Sequence, residues 1–263
     1  MDDQFKSNNT SLSNNLSLNL KSIKNFYTDE AVRYDADRFG GWNGQLYDQI
    51  HYNLVLETLL EKKATITGKK TNILDIATGT GRTSTKLVQD GFNVTGLDLT
   101  YEMLRHAVKK QNKDKKAQFI QANALKLPFA SHSFDGVVCC RMLQMIPLKF
   151  YKNFAEEVSR VLKPEGLMIV EVWNEKYRKI RQMGSNRPNS QNEYDTYIKP
   201  QQSKKMFGQQ SQYVDMAGLG YPFVLRALRP LPKKWGMKIY QLISRGWLSK
   251  SWGETMMITY RKK

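Results

Sequence analysis

Cysteine is almost absent from this chain of 263 residues: there are two, Cys139 and Cys140, and they are neighbours. Successive side chains of a strand point to opposite faces, so the pair suits neither a structural disulfide nor a metal site. No metal is expected, and a reducing cytoplasm is the natural setting. Histidine is scarce too, at three: His51, His106 and His132. No apolar run approaches the ~18 residues of a membrane-spanning helix. The opening residues include Asp2 and Asp3 and lack the basic-then-apolar layout of a secretory leader. Acidic residues thin out toward the end. Residues 1–172 hold 23 Lys and Arg against 19 Asp and Glu, whereas residues 173–263 hold 18 against 5, so most of the net charge of +17 lies in the last third. Such a block suits RNA, an anionic membrane surface or an acidic substrate, or is simply a basic solvated face.

What is present is an alternation. After "SNNTSLSNNLSLN" (7–19), a low-complexity stretch expected to be disordered, the composition changes at Phe26. Leu46, Ile50, Leu54, Val55 and Leu59 form a stripe at helical spacing. From Ile73 onward strands ("NILDIA", "NVTGLD", "AQFIQA", "SFDGVVCC", "LMIVEVW") alternate with helical segments, and the chain closes on the apolar "ETMMITYRKK". This rhythm predicts an α/β fold: a Rossmann-like, seven-stranded, mostly parallel sheet with helices on both faces. After Trp173 the rhythm fails. Residues 233–248 read as helical again, with Trp235, Ile239, Leu242 and Ile243 on one face and Lys234, Lys238 and Arg245 on another.

Ligands of an open parallel sheet sit beyond the carboxyl ends of its strands. Gly79 and Gly81 fall where the first strand turns into its helix, and Asp98 ends the second strand. Glycines allow a sharp turn and a close backbone approach, the free N–H groups of the helix start favour an anion, and a carboxylate can accept from both hydroxyls of a ribose. A phosphate-binding P-loop is excluded because Arg82, not Lys, follows Gly81. A dinucleotide fingerprint would want a third small turn residue where Ser84 stands. The ligand-free alternative is a plain tight connection.

The segments "LDIATGTGRTSTKL", "VTGLDLTYEMLRHA", "FIQANALKLPF" and "EEVSRVLKPEGLMIVEV", within about residues 70–173, resemble in order and spacing the class I S-adenosylmethionine-dependent methyltransferases. The chain is most similar to the small-molecule group that includes the ubiquinone and menaquinone C-methyltransferases. The resemblance implies S-adenosylmethionine as cofactor and S-adenosylhomocysteine as product. It places Asp75, Ala77, Thr78, Gly79 and Gly81 beside the methionine half, Asp98 at the ribose, Leu99 and Met103 at the adenine, and Asn123 and Ala124 at its edge, with Cys140 completing the cofactor wall. Many relatives carry Asp at position 123 and Gly at position 77; an Asn carbonyl can accept from the adenine amino group as a carboxylate does. The stretch from Tyr27 to Trp42 resembles the segment that folds over the cofactor, so Tyr27, Tyr34 and Arg38 are candidates for the cofactor's carboxylate or the acceptor wall, or for simple packing; Arg141 is a further candidate for the substrate side or lid. The implied organisation is a disordered 1–25 and one domain over 26–263: a cofactor-binding core at 70–173, an acceptor-side insertion at 174–235, and a closing helix and strand at 236–263.

Methyl transfer from a sulfonium needs alignment and water exclusion, and a base only for some acceptors. Relatives often carry a His after the fourth strand; here "RMLQMIP" carries Gln144 and Met145 instead, so no catalytic residue is assigned. Cys140 lacks the setting of a nucleophile for pyrimidine C5 methylation, and the Asn/Asp-Pro-Pro-aromatic motif of base amine methylation is missing. The expected function is methyl transfer to oxygen, nitrogen or carbon of a small or lipid-linked acceptor, in a cytoplasmic protein with possible peripheral contact to an anionic membrane. The alternatives are an RNA methyltransferase using the basic last third and a non-catalytic cofactor-binding protein.

Overall fold

A computed structural model describes residues 20–63, 71–112, 114–178, 196–208, 210–221, 224, 227–228, 230–246 and 252–263; the low-complexity 7–19 lies outside them. Helix α1 (20–30) begins ahead of Phe26, so residues 20–25 are helical instead of disordered. It is followed by α2 (Tyr34–Phe39), α3 (Trp42–Lys63), β1 (Asn72–Ile76), α4 (Arg82–Gln89), β2 (Asn93–Asp98), α5 (Tyr101–Lys109), β3 (Gln118–Gln121), β4 (Phe134–Cys139), α6 (Tyr151–Val161), β5 (Leu162–Asn174), β6 (Tyr197–Ile198), β7 (Ser211–Leu219), α7 (Lys233–Arg245) and β8 (Thr255–Lys262).

The strands form one sheet in the order β3-β2-β1-β4-β5-β8-β7, with β8 antiparallel to both of its neighbours. The sheet has eight strands where seven were expected. The extra one, β6, has two residues and pairs parallel with Trp173 and Asn174. β7 had no clear signature in the sequence, for its first half, Ser-Gln-Tyr-Val-Asp, shows neither regular alternation nor an apolar run, and its register shifts between Tyr213 and Asp215.

Strand alternation sends neighbouring residues into two different cores. Leu74, Ile76, Val137, Met168 and Val170 pack with Phe154 and Val158 of α6. Ile73, Val138 and Ile169 pack on the other face with Leu46, Ile50, Leu54 and Val55 of α3, so the helical stripe read from the sequence is the buried one. The same parity puts Asp75 and Glu171 on the α3 face, a placement that sets up the site.

Helix α7 turns much of its apolar face outward. Trp235 (64% exposed) and Leu242 (77%) face solvent, while Tyr240 and Ser244 are buried, and Gln241 reaches Glu57 of α3. The buried Tyr240 hydroxyl accepts the backbone N–H groups of Gly220 (2.6 Å) and Tyr221 (3.1 Å). An unsatisfied buried amide donor costs about 1–3 kcal/mol, so these two bonds help fix the face that α7 turns inward. Among the described residues no helix is long and apolar enough to cross a membrane.

Candidate active site

The carboxyl ends of β1, β2 and β4 open onto a pocket roofed by α1 and α2. Its floor is built from the glycine turn. Ala77 (φ 56°), Gly79 (φ 56°) and Gly81 (φ 74°) all have left-handed backbone. This conformation costs a residue with a Cβ about 1 kcal/mol, so Ala77 carries mild strain that a glycine would not. The Thr78 N–H is tied to Leu97 O at 3.0 Å and the Gly81 N–H to Thr78 O at 3.0 Å, which anchors the turn to β2. Gly81 leaves no room for a side chain: a Cβ there would lie 2.8 Å from that of Ala107. At Gly79 nothing lies within 4 Å of that position, so its backbone is open to a ligand.

Two carboxylates meet at this turn. Asp98 accepts the Gly79 N–H (2.8 Å) on Oδ2 and the Thr100 N–H (2.9 Å) on Oδ1. Burial pushes its pKa up against those bonds. Each of its oxygens keeps a lone pair for a further donor. Asp75 accepts from Ser84 (2.6 Å) and Thr78 (2.8 Å) on one oxygen. Burial raises its pKa to about 6, although both hydroxyls pull the other way. Ser84, the departure from the dinucleotide fingerprint, thus serves to hold Asp75.

Of the residues proposed for cofactor binding, Asp75, Ala77, Thr78, Gly79, Asp98, Leu99, Met103, Asn123, Ala124 and Cys140 line the pocket. Gly81 does not; it shapes the turn from behind. Asn123 Oδ1 accepts the Leu125 N–H at 2.9 Å, so it caps a turn as well as facing the cavity. Of the lid candidates, Tyr27, Tyr34 and Arg141 line the pocket. Arg38 stays outside the lining, stacked 4.9 Å over Tyr34 and paired with Glu30 at 3.3 Å. The roof is tied down at two points: Thr28 bonds Glu102 of α5 at 3.3 Å, and Asp35 bonds Thr80 at 2.7 Å and pairs with Lys110. Burial beside Tyr34 pushes the Tyr27 hydroxyl up to about 12, so it is a neutral donor. Of the histidines, His132 is exposed and His106 half-buried, whereas His51 is buried and lines the pocket.

Sequence reasoning missed one cluster. Glu171, in the middle of β5, is fully buried beneath α3. Tyr47 donates to its Oε1 at 2.6 Å, and His51 Nε2 stands 3.3 Å from its Oε2. Burial alone would raise the Glu171 pKa, but His51, Arg141 and Tyr47 outweigh it and hold the carboxyl well below the usual range, at about 2. The signal was there: a charged residue inside "LMIVEVW" and a histidine inside an apolar helical stripe both demand partners.

Residues 74–170 match the family described as "Methyltransferase domain". The chain is 39% identical over 107 residues to the putative methyltransferase YqeM of Bacillus subtilis (40% of this chain, 43% of that protein). It is 40% identical over 111 residues to a demethylmenaquinone methyltransferase of Porphyromonas gingivalis (38% and 43%). It is 36% identical over 107 residues to the 2-methyl-6-phytyl-1,4-hydroquinone methyltransferase of Synechocystis (40% and 33%). The matches thus span less than half the length of these relatives. In fold, the chain is similar to the magnesium protoporphyrin IX methyltransferase of Synechocystis PCC 6803 with bound SAH, at a TM-score of 0.65 and 12% identity over 93% of this chain and all of that one. The family match and the sheet order agree: the segment from Leu74 to Val170 matches a methyltransferase domain, carried on a fold similar to that of the SAH-bound enzyme.

Proposed function

We propose that the chain catalyses methyl transfer from S-adenosylmethionine to an apolar, lipid-linked small molecule. The observation that carries the reading is Asp98: a buried carboxylate at the end of β2, oriented by two backbone N–H groups yet with acceptor capacity left, beside the open backbone of Gly79. That donor and acceptor set fits a ribose diol, and Arg82, beside the turn, is already paired with Asp48 and stacked on Phe39. The bound cofactor supplies an activated methyl group; the chain supplies placement. Asp98 would take the ribose hydroxyls, the 77–79 backbone would pass beneath the methionine half, and Asn123 would border the adenine. The roof would exclude water.

Leu20, Ile23, Met142, Met145 and Ile146 add an apolar portion to the pocket lining, which suits an apolar acceptor. The quinone methyltransferases among the relatives support an apolar acceptor. Exposed Trp235, Ile239 and Leu242, flanked by Lys234 and Lys238 on α7, support delivery from an anionic membrane surface. That surface also complements the charge of the last third.

Calorimetric titration with S-adenosylmethionine and S-adenosylhomocysteine tests the site. Hydrogen bonds to a charged group contribute about 1.5–3 kcal/mol each, so losing two in Asp98→Ala weakens binding roughly 100-fold or more. Equal affinities for wild type and variant would refute the assignment.

A further inference from the structure

His51, Cys140 and Glu171 come from three elements, α3, the end of β4 and β5, and their ligating atoms lie within 4.8 Å of one another on the α3 face of the sheet. Two of those atoms are anomalous. His51 Nε2 and Glu171 Oε2 are 3.3 Å apart, yet neither makes a hydrogen bond, and both are shut off from solvent. The two atoms face each other as an ion pair without a well-formed hydrogen bond, an arrangement that a shared cation satisfies as well as a proton does. Tyr47 occupies only the other oxygen of Glu171 and stacks its ring on the imidazole, which fixes both side chains.

We propose that these three side chains form a zinc site whose fourth position opens into the pocket. Tetrahedral zinc with His, Glu and Cys ligands at about 2.0–2.3 Å has neighbouring ligand atoms ~3.3–3.8 Å apart. The His51–Glu171 separation already meets this, and the Cys140 sulfur needs an approach of about 1 Å at most. Three protein ligands and an open position are the pattern of catalytic zinc sites, whereas structural sites are closed by four. His51 and Cys140 line the pocket, so the open side faces it. The donor set of imidazole, thiolate and carboxylate suits zinc over magnesium or calcium. A dication at the site would hold the Cys140 sulfur as its thiolate.

The site narrows the acceptor class and, on this point, rests on the methyltransferase reading. An acceptor thiol or phenolic hydroxyl would bind the ion as its anion, its proton passing to water. It would then form the new bond to the methyl carbon as the carbon–sulfur bond breaks and the electron pair stays with the departing thioether.

The test needs no acceptor. The full chain, stripped with a chelator, is titrated with cobalt(II) and then with zinc(II). S-adenosylhomocysteine binding and circular dichroism are recorded for every variant. Wild type is expected to bind one equivalent of cobalt with a thiolate-to-cobalt charge-transfer band and the intense visible bands of four-coordination, both abolished by zinc. Cys140→Ser loses the charge-transfer band, and Glu171→Gln and His51→Gln weaken metal binding at least ~100-fold. Cys139→Ala, altered in the apolar core on the opposite face, keeps the band. A wild-type chain that binds S-adenosylhomocysteine but gives no Cys140-dependent band overturns the zinc site and leaves the methyltransferase reading standing. A band without cofactor binding does the reverse.

Discussion

Replacing Asp75 by Asn should make the protein progressively more stable than wild type as the pH rises. Asp75 is 3% exposed, and burial holds its pKa at about 6 against 3.8 for the free side chain. The folded chain therefore keeps this proton up to about pH 6, while the unfolded chain releases it near 4. Stability linked to the neutral carboxyl is complete below pH 4 and is lost as the pH rises through 6. A shift of about 2 units corresponds to about 3 kcal/mol. Roughly half of that is already lost at pH 5, so about 1.4 kcal/mol changes between pH 5 and pH 8. The Asn oxygen can still accept from Thr78 and Ser84 but does not titrate. Urea unfolding of both proteins across this interval, followed by circular dichroism, should show the difference growing by that amount in favour of Asp75→Asn. Glu171 does not intrude, because its pKa is lowered to about 2 and its contribution is lost only as the pH falls to that value. Asp98 is common to both proteins and largely cancels. A difference that is flat, or that shrinks as the pH rises, would show that Asp75 is not a desolvated carboxylate and would remove the basis for its placement under the pocket.

The glycine turn gives a paired comparison. Gly81→Ala meets Ala107 at 2.8 Å and Phe119 at 3.2 Å on top of a left-handed φ, and should cost about 2–4 kcal/mol in chemical denaturation. Gly79→Ala has free space and should cost at most about 1 kcal/mol; equal losses would contradict the packing. Tyr240→Phe strands the buried N–H groups of Gly220 and Tyr221 and should cost roughly 2–4 kcal/mol, whereas a neutral outcome would mean that α7 is not pinned by this hydroxyl. Leu242→Glu alters a side chain that is 77% exposed, so it should leave the melting temperature unchanged while abolishing sedimentation with vesicles rich in anionic lipid. Retained vesicle binding would place the membrane contact elsewhere, and binding to RNA instead would favour the nucleic-acid reading of the basic last third.

The alternation from Ile73 to Trp173 was legible in the sequence because it is a local property. Strand period, glycine punctuation and the acid closing "NVTGLD" depend on neighbours within a few residues, and together they located the pocket floor and the family. The α3 stripe was legible for the same reason. β7 was not, because an edge strand buries one face at most and half of Ser211–Leu219 carries no apolar signal. Which face α7 turns inward was not legible, because the backbone N–H groups of Gly220 and Tyr221 that donate to the Tyr240 hydroxyl leave no mark in the periodicity. The sequence by itself determined a glycine turn facing Asp98 and an α/β sheet to carry it. Only the tertiary structure brought His51, Cys140 and Glu171 together, because they lie far apart along the chain and meet only where α3 passes over β5 and the end of β4.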